Sequence, residues 1–72
     1  MRNEVNNIKA MHWAIEHPMT TFKDAYGWPL RFNPERTRER FQCLVGPKWA
    51  DYDGLLSAER NYVIPLEQDG EN

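Results

Sequence analysis

Three short stretches of the 72-residue chain place an apolar residue at every second position. These residues are Trp28, Leu30 and Phe32, then Phe41, Cys43 and Val45, then Tyr62, Ile64 and Leu66. A period of two is typical of strands with one buried face, because successive side chains of a strand point to opposite sides of a sheet. The alternation therefore predicts an antiparallel sheet with one apolar face, and it indicates nothing about function.

The segment from Val5 to Glu16 has the pattern of an amphipathic helix. On a helical wheel its apolar stripe comprises Val5, Ile8, Met11, His12 and Ile15. Asn3 is suited to the N-cap position, and Pro18 disfavours helical geometry in the residue before it, so the helix is expected to end at about Glu16. We expect the stripe to cover the apolar face of the sheet.

A β-hairpin follows the helix. The residues from Thr20 to Phe22 favour a strand, Asp24 to Gly27 form a turn with Asp first and Gly last, and Trp28 to Phe32 continue as the next strand. Because Pro29 lacks an N–H donor, this strand is expected to lie at an edge or to begin at Pro29. An edge position would leave main-chain groups available to a partner.

The segment from Asn33 to Pro47 has two interpretations. Asn33 with Pro34 resembles a helix start, and Gly46 with Pro47 resembles a helix stop. On a wheel, however, the apolar residues between them scatter, whereas as a strand they share one face. Periodicity therefore favours a long turn over Asn33 to Arg38 and a third strand over Arg40 to Val45, with the helix as the alternative.

The rest of the chain completes an α+β domain. Lys48 to Arg60 is interpreted as a loop anchored by Trp49 and Tyr52, Asn61 to Leu66 as a last strand, and residues 67–72 as a disordered acidic tail. The expected fold is one N-terminal amphipathic helix packed on a small antiparallel β-sheet of about four strands. Residues 1–66 would form this single small domain.

Composition limits the setting and the partners. Cys43 is the one cysteine, so an internal disulfide and a four-ligand zinc site are both excluded, and a reducing compartment is expected. The chain has no apolar run near the about 20 residues that cross a bilayer, which predicts a soluble, cytoplasmic protein without membrane binding. The net charge of −2 argues against direct DNA binding.

The charge is divided unevenly along the chain. Residues 1–45 contain seven basic and five acidic residues, and residues 46–72 contain two basic and six acidic ones. Four arginines lie within ten residues: Arg31, Arg36, Arg38 and Arg40. The basic residues are thus concentrated around the second turn, and the acidic ones near the end of the chain.

The motifs that carry catalysis or metal binding are missing. His12 and His17 point about 140° apart on a helix, so they are not paired metal ligands. The run Asp51 to Gly54 lacks the later ligands of a calcium loop, and Ser57 lacks a nearby histidine. Cys43 alternates with inward residues and is expected to be a buried thiol. The sequence predicts a non-enzymatic protein without a metal or a cofactor.

A surplus of interface-type residues remains after the core is assigned. Trp13 lies outside the apolar stripe, Tyr26 lies at the tip of a turn, and the arginines crowd the next turn. Trp, Tyr and Arg dominate binding hot spots, because they combine a large contact area with a polar group. The predicted partner-binding residues are Trp13, Tyr26, Arg31, Arg36, Arg38 and Arg40. Alternatively, the arginines pair with Glu35, Glu39 or the acidic tail.

The layout of the chain also resembles that of small phage and prophage accessory proteins. The resemblance spans about residues 5–66 and rests on His17-Pro18, Phe22 to Asp24, Gly27 to Phe32, Trp49, Leu55, Leu56 and Asn61 to Ile64. This grouping includes anti-CRISPR proteins, and the helix followed by a meander is similar to anti-Thoeris sponge proteins, which sequester a cyclic nucleotide signal as oligomers. The resemblance implies an accessory inhibitor and identifies no target.

The sequence is compatible with three functions. The leading hypothesis is a phage-type binding protein that inhibits a host or defence-system protein by occupying a functional surface. In the second, a homo-oligomer sequesters a nucleotide signal, with the arginines on phosphates and Trp28 or Tyr26 stacked on a base. The third is a structural phage component or a regulator. Charge reversal at Arg36 and Arg38 is expected to weaken binding in the leading hypothesis.

Overall fold

The computed structural model describes residues 3–38, 40–52 and 54–65. It contains one helix and six strands, an α+β fold with two strands more than the expected four. The elements in chain order are β1 (Glu4–Val5), α1 (Asn7–Glu16), β2 (Phe22–Asp24), β3 (Pro29–Phe32), β4 (Phe41–Val45), β5 (Lys48–Asp51) and β6 (Tyr62–Val63). The predicted tail, residues 67–72, lies outside the described residues. Within the described part of the chain, no helix is both long and apolar enough to cross a membrane.

The six strands form one antiparallel sheet in the order β1-β6-β2-β3-β4-β5. β3 therefore lies inside the sheet, with Leu30 opposite both Phe22 of β2 and Cys43 of β4. Pro29 is the first residue of β3, which is one of the two positions that its missing N–H allows. The expectation that the Pro29 strand offers an edge to a partner is wrong, since the edges are β1 and β5.

The strand assignment of residues 41–45 is confirmed, and the helix alternative is excluded. The long turn is also confirmed: Asn33 Oδ1 accepts from the Glu35 N–H at 3.0 Å, and the Asn33 N–H donates to the Arg40 carbonyl. Asn33 is therefore the residue that organises this connection, since its side chain satisfies a backbone donor inside the turn and its backbone closes the base of the turn.

Two strands were not predicted. Lys48–Asp51, expected as part of a loop, is β5, which pairs with β4 across the two-residue turn of Gly46 and Pro47. Gly46 has φ of +61°, and a positive φ at the first turn position with a proline φ at the second matches a type II′ hairpin turn. These two residues therefore reverse a hairpin rather than end a helix. β1 is only two residues long and pairs with β6.

The core lies between α1 and one face of the sheet. Its largest members are aromatic, and Phe22 is central because it makes edge-to-face contacts with Trp13, Phe41 and Tyr62 at centroid distances of 5.9, 6.3 and 6.1 Å. The buried apolar residues are Ala10, Ala14, Phe22, Leu30, Phe32, Phe41, Cys43, Leu56, Tyr62 and Ile64. Cys43 is thus the buried thiol that its alternation predicts.

α1 presents a different face to the sheet from the predicted one. Ala10 and Ala14 are fully buried, whereas Ile8 and Ile15 are 59% and 55% exposed. Ile8, Ile15 and His12 of the expected stripe therefore point away from the sheet, and His12 is exposed rather than at the edge of the core. Val5 and Met11 of the same stripe are partly buried and pack against the core. Small alanine side chains let the helix axis approach the aromatic layer of the sheet closely, which branched isoleucines would prevent.

The helix begins at Asn7, two residues later than expected, and its N-cap lies three residues later. Val5 pairs with Tyr62 in the sheet, so the chain stays extended until Asn6. Asn6 is the N-cap, and its Oδ1 accepts from the Lys9 N–H at 2.9 Å. The predicted cap, Asn3, instead accepts from the Ile64 N–H through its carbonyl. The predicted end at Glu16 is confirmed.

Candidate functional site: the hairpin end

The turn between β2 and β3 is organised by the carboxylate of Asp24. Its Oδ1 accepts from the N–H groups of Tyr26 and Trp28 at 2.9 and 2.8 Å, and its backbone carbonyl accepts from the Gly27 N–H at 2.9 Å. Gly27 has φ of +89°, a conformation that costs glycine little and other residues more. The predicted turn with Asp first and Gly last is confirmed, and the structure shows why both residue types are needed.

Arg60 neutralises the same carboxylate. The Asp24 side chain is only 2% exposed, and its Oδ2 accepts from Arg60 Nη1 at 3.1 Å. The Arg60 guanidinium carbon also lies 5.4 Å from the centroid of the Tyr26 ring, within the range of a cation–π contact. Asp24 therefore has three donors, and the arginine that pairs with it also supports the tyrosine ring.

Two aromatic side chains remain exposed on this framework. Tyr26 is 82% exposed, and Trp28 is exposed although its Nε1–H donates to the Leu44 carbonyl at 2.7 Å. That hydrogen bond joins the β2–β3 turn to the end of β4, where Val45 is also exposed. We call Tyr26, Trp28, Val45 and Arg60 the hairpin end, because both hairpin turns reverse the chain there.

The hairpin end is suited to bind a partner surface that contains both apolar and polar groups. It offers a phenol, an indole and an aliphatic side chain, and its backbone is fixed by hydrogen bonds before any partner binds. Fixed aromatic side chains lose little conformational freedom on binding. Among the described residues no group of three or more His, Cys, Asp or Glu side chains is arranged to hold a metal ion.

The predicted arginines lie at the other end of β3, in and beside the β3–β4 turn. Arg31 is half-buried: its Nε donates to Gln42 Oε1 at 3.0 Å, and its guanidinium carbon lies 4.3 Å from the Trp49 ring centroid. Arg36 forms an ion pair with Asp51. We call Arg31, Arg36, Arg38 and Arg40 the Arg turn. Arg38 and Arg40 are exposed, and no described carboxylate forms an ion pair with either.

The predicted site residues therefore do not form one surface. Tyr26 precedes β3, whereas Arg36, Arg38 and Arg40 follow it and Arg31 lies within it. Trp13 is half-buried rather than freely exposed, with its ring stacked on His17 at 4.5 Å and edge-on to Phe22. His17 Nδ1 also lies 2.8 Å from the Trp13 carbonyl. Much of the Trp13 ring is thus used to cover the core.

Three members of the hairpin end were not among the predicted partner residues for a protein target. Arg60 is separated from Asp24 by 36 positions, so their pairing is invisible to local patterns. Val45 was assigned to the inner face of its strand, and it is exposed because it is the last residue of β4. Trp28, considered above only for stacking on a base, could have been found from its position beside a turn tip.

A buried tyrosine lies beside the hairpin end. Tyr62 is opposite Asp24 in the sheet, and its hydroxyl accepts from the Ser57 N–H at 3.0 Å. Burial in the core raises the pKa of the Tyr62 hydroxyl above that of an exposed tyrosine, and the Ser57 hydrogen bond opposes this effect only in part. Tyr62 is therefore a neutral structural group at physiological pH.

Comparison with known proteins finds no relative of the chain: no family model, no curated protein and no solved structure matches it. The case for a function therefore depends on the geometry of the described residues.

Proposed function

We propose that this protein is a non-enzymatic binding protein that inhibits a host or defence-system protein by occupying a functional surface, and that the hairpin end contacts the target. The observation that carries the proposal is the exposure of Tyr26 and Trp28 on a turn fixed by a buried carboxylate. Exposed aromatic side chains of this kind are favoured at the centres of interfaces.

The Asp24 network supports this proposal because it exceeds what a hairpin turn requires. Two backbone N–H groups and one guanidinium converge on a carboxylate that is almost completely buried. Such a network holds Tyr26 and Trp28 in place without burying either side chain. Preorganisation of this type increases affinity, since the cost of ordering the contact residues is met during folding.

The nucleotide sponge is less well supported. A phosphate site needs guanidinium groups that converge and are not already engaged. Arg31 is engaged by Gln42 and Trp49, and Arg36 is engaged by Asp51. These contacts favour a structural role for two of the four arginines on the outer face of β3, β4 and β5.

The proposal is tested with a photo-crosslinking amino acid at position 26, in extract of the organism that encodes the protein. A matched probe at position 55 serves as the control, because Leu55 is 74% exposed and lies outside the hairpin end. We expect one protein to be crosslinked from position 26 and not from position 55.

Affinity for that protein is then measured with purified variants. Tyr26→Ala and Trp28→Ala should each weaken binding by about tenfold or more, and Leu55→Ala should not. Equal crosslinking from both positions, or a target whose binding is insensitive to both aromatic substitutions, would refute the hairpin end as the contact. Inhibition is assessed by adding the protein to an activity assay of the captured target.

A further inference from the structure

The outward face of α1 is apolar and uncovered in the single chain. Ile8 and Ile15 are more than half exposed, and their mean direction lies about 130° around the helix from that of the buried Ala10 and Ala14. At about 100° per residue, Ile8 and Ile15 fall within about 20° of each other, two turns apart. His12 lies beside them and is exposed, whereas Met11 is partly buried and packs against the core, so the uncovered apolar surface consists of the two isoleucines.

The charges beside this stripe have a specific order. Lys9 and Glu16 are both exposed and lie on the same flank of the stripe, one near each end of the helix. When two copies of α1 pack antiparallel about a two-fold axis, the same flanks meet, and Lys9 of each copy approaches Glu16 of the other. In a parallel pair the two-fold axis would run along the helices, so the flank with Lys9 and Glu16 would lie on opposite sides of the interface in the two copies, and these ion pairs could not form.

We infer that the outward face of α1 binds a second copy of this chain, with the two helices antiparallel. The two Lys9–Glu16 pairs and the isoleucine contacts can share one two-fold axis. The midpoint of Ile8 and Ile15 falls between Met11 and His12, and the midpoint of Lys9 and Glu16 falls between His12 and Trp13. The two-fold axis therefore passes close to His12, which meets His12 of the second copy.

The expected dimer is weak. α1 has ten residues and is about 15 Å long, so paired helices bury less than the about 800 Å² per partner of a standard stable complex. Burial of the isoleucines on both copies provides the main attraction, and the ion pairs select the antiparallel orientation. This inference goes beyond the proposed function, since it concerns the isolated protein and a different surface.

The first test is sedimentation equilibrium of the purified protein from about 10 µM to about 1 mM. We expect a monomer at the low end and a growing dimer fraction at the high end. Ile8→Ser and Ile15→Ser should shift dimerisation to at least about tenfold higher concentration, whereas Leu55→Ser, a control at a still more exposed apolar residue, should not. Because both isoleucines are exposed, the thermal unfolding of dilute protein should change little, which shows that the variants are folded.

The second test uses charge exchange to establish the orientation. Lys9→Glu places two carboxylates together at each end of an antiparallel pair, and is expected to weaken the dimer. Adding Glu16→Lys restores both opposite-charge pairs and is expected to recover it. In a parallel pair the Lys9 and Glu16 side chains of the two copies do not meet, so neither substitution would change dimerisation much.

The third test locates the axis. Under oxidised glutathione, the cysteine of His12→Cys is expected to form a disulfide with the same cysteine of the second copy, which peptide mapping would show. The cysteine of Leu55→Cys is not expected to form such a disulfide. A protein that stays monomeric at the highest concentration overturns the inference. So does a dimer that neither isoleucine substitution weakens, or one that fails to crosslink at position 12.

Discussion

The two ends of β3 carry the residues with the strongest potential for binding, yet they are built differently. At the hairpin end a buried carboxylate fixes the backbone while Tyr26 and Trp28 remain exposed. At the Arg turn the side chains themselves are engaged: Arg31 lies over Trp49, and Arg36 pairs with Asp51. The difference shows that residue type alone does not identify a contact surface, because the same kinds of residue also stabilise the fold.

The largest expected effect is a difference in the free energy of unfolding between variants of the ion pairs at the two ends of β3. Asp24→Ala removes the acceptor of two backbone N–H groups and of Arg60, and should lower the free energy of unfolding by about 2–4 kcal/mol. Asp51→Ala removes an exposed partner of Arg36 and should cost at most about 1 kcal/mol. Chemical denaturation of both variants measures the contrast, and equal losses would show that the Asp24 network is no stronger than a surface pair.

The next largest expected effect is a dependence of folding stability on pH. The pKa of Tyr62 is raised by burial in the folded protein, so the neutral hydroxyl is favoured by folding. Its contribution is complete below the unfolded pKa of about 10 and is lost as the pH rises through the higher folded value. We expect stability to fall at alkaline pH, by up to about 1.4 kcal/mol for each unit of difference between the two pKa values.

Tyr62→Phe provides the control for this pH dependence. It keeps the ring in the core and removes the ionisable hydroxyl, together with the hydrogen bond from Ser57. The variant should be less stable at neutral pH and should lose less stability on going above about pH 10. If denaturation gives the two proteins the same alkaline slope, Tyr62 is not the responsible group.

The sequence predicts the parts of the fold that alternate and misses those that do not. β3, β4 and β6 lie in the period-two stretches, and the Asp24 turn follows from its residue types. β5 has Lys48 and Asp51 at its ends and no apolar alternation, so only the turn of Gly46 and Pro47 signals it. The same pair also resembles a helix stop, as in the helix alternative for this segment, because Gly followed by Pro fits both structures.

The buried face of α1 also differs from the one that the sequence predicts. The buried face of a helix is predicted on a wheel from the side with the most hydrophobic side chains. By that measure Ile8 and Ile15 should be buried in preference to Ala10 and Ala14. The structure instead buries the alanines, whose small side chains allow a helix to pack closely on the sheet. At the site, Tyr26 was predicted from its place at a turn tip, but Arg60 was not, because its partner Asp24 is distant in sequence.

Partner binding compares the two ends directly. Charge reversal at Arg38, which has no described ion-pair partner, should leave thermal unfolding nearly unchanged. Reversal at Arg36 opposes Asp51 and should cost at most about 1 kcal/mol of stability. With the target in hand, Tyr26→Ala should weaken binding by about tenfold or more. If reversal at Arg36 and Arg38 abolishes binding and Tyr26→Ala does not, the Arg turn is the contact surface.

The smallest effect tests whether the Arg31 contacts are structural. Arg31→Lys keeps the charge but loses the Nε donation to Gln42 and the planar stacking on Trp49, and should lower the free energy of unfolding by about 0.5–1 kcal/mol. Gln42 Oε1 then keeps only the Asn33 amide as a donor. Arg40→Lys is the matched control and should be neutral. Since the loss arises within the sheet, target affinity should be unchanged at equal folded concentration, and a fall in affinity without a fall in stability would place Arg31 in the interface.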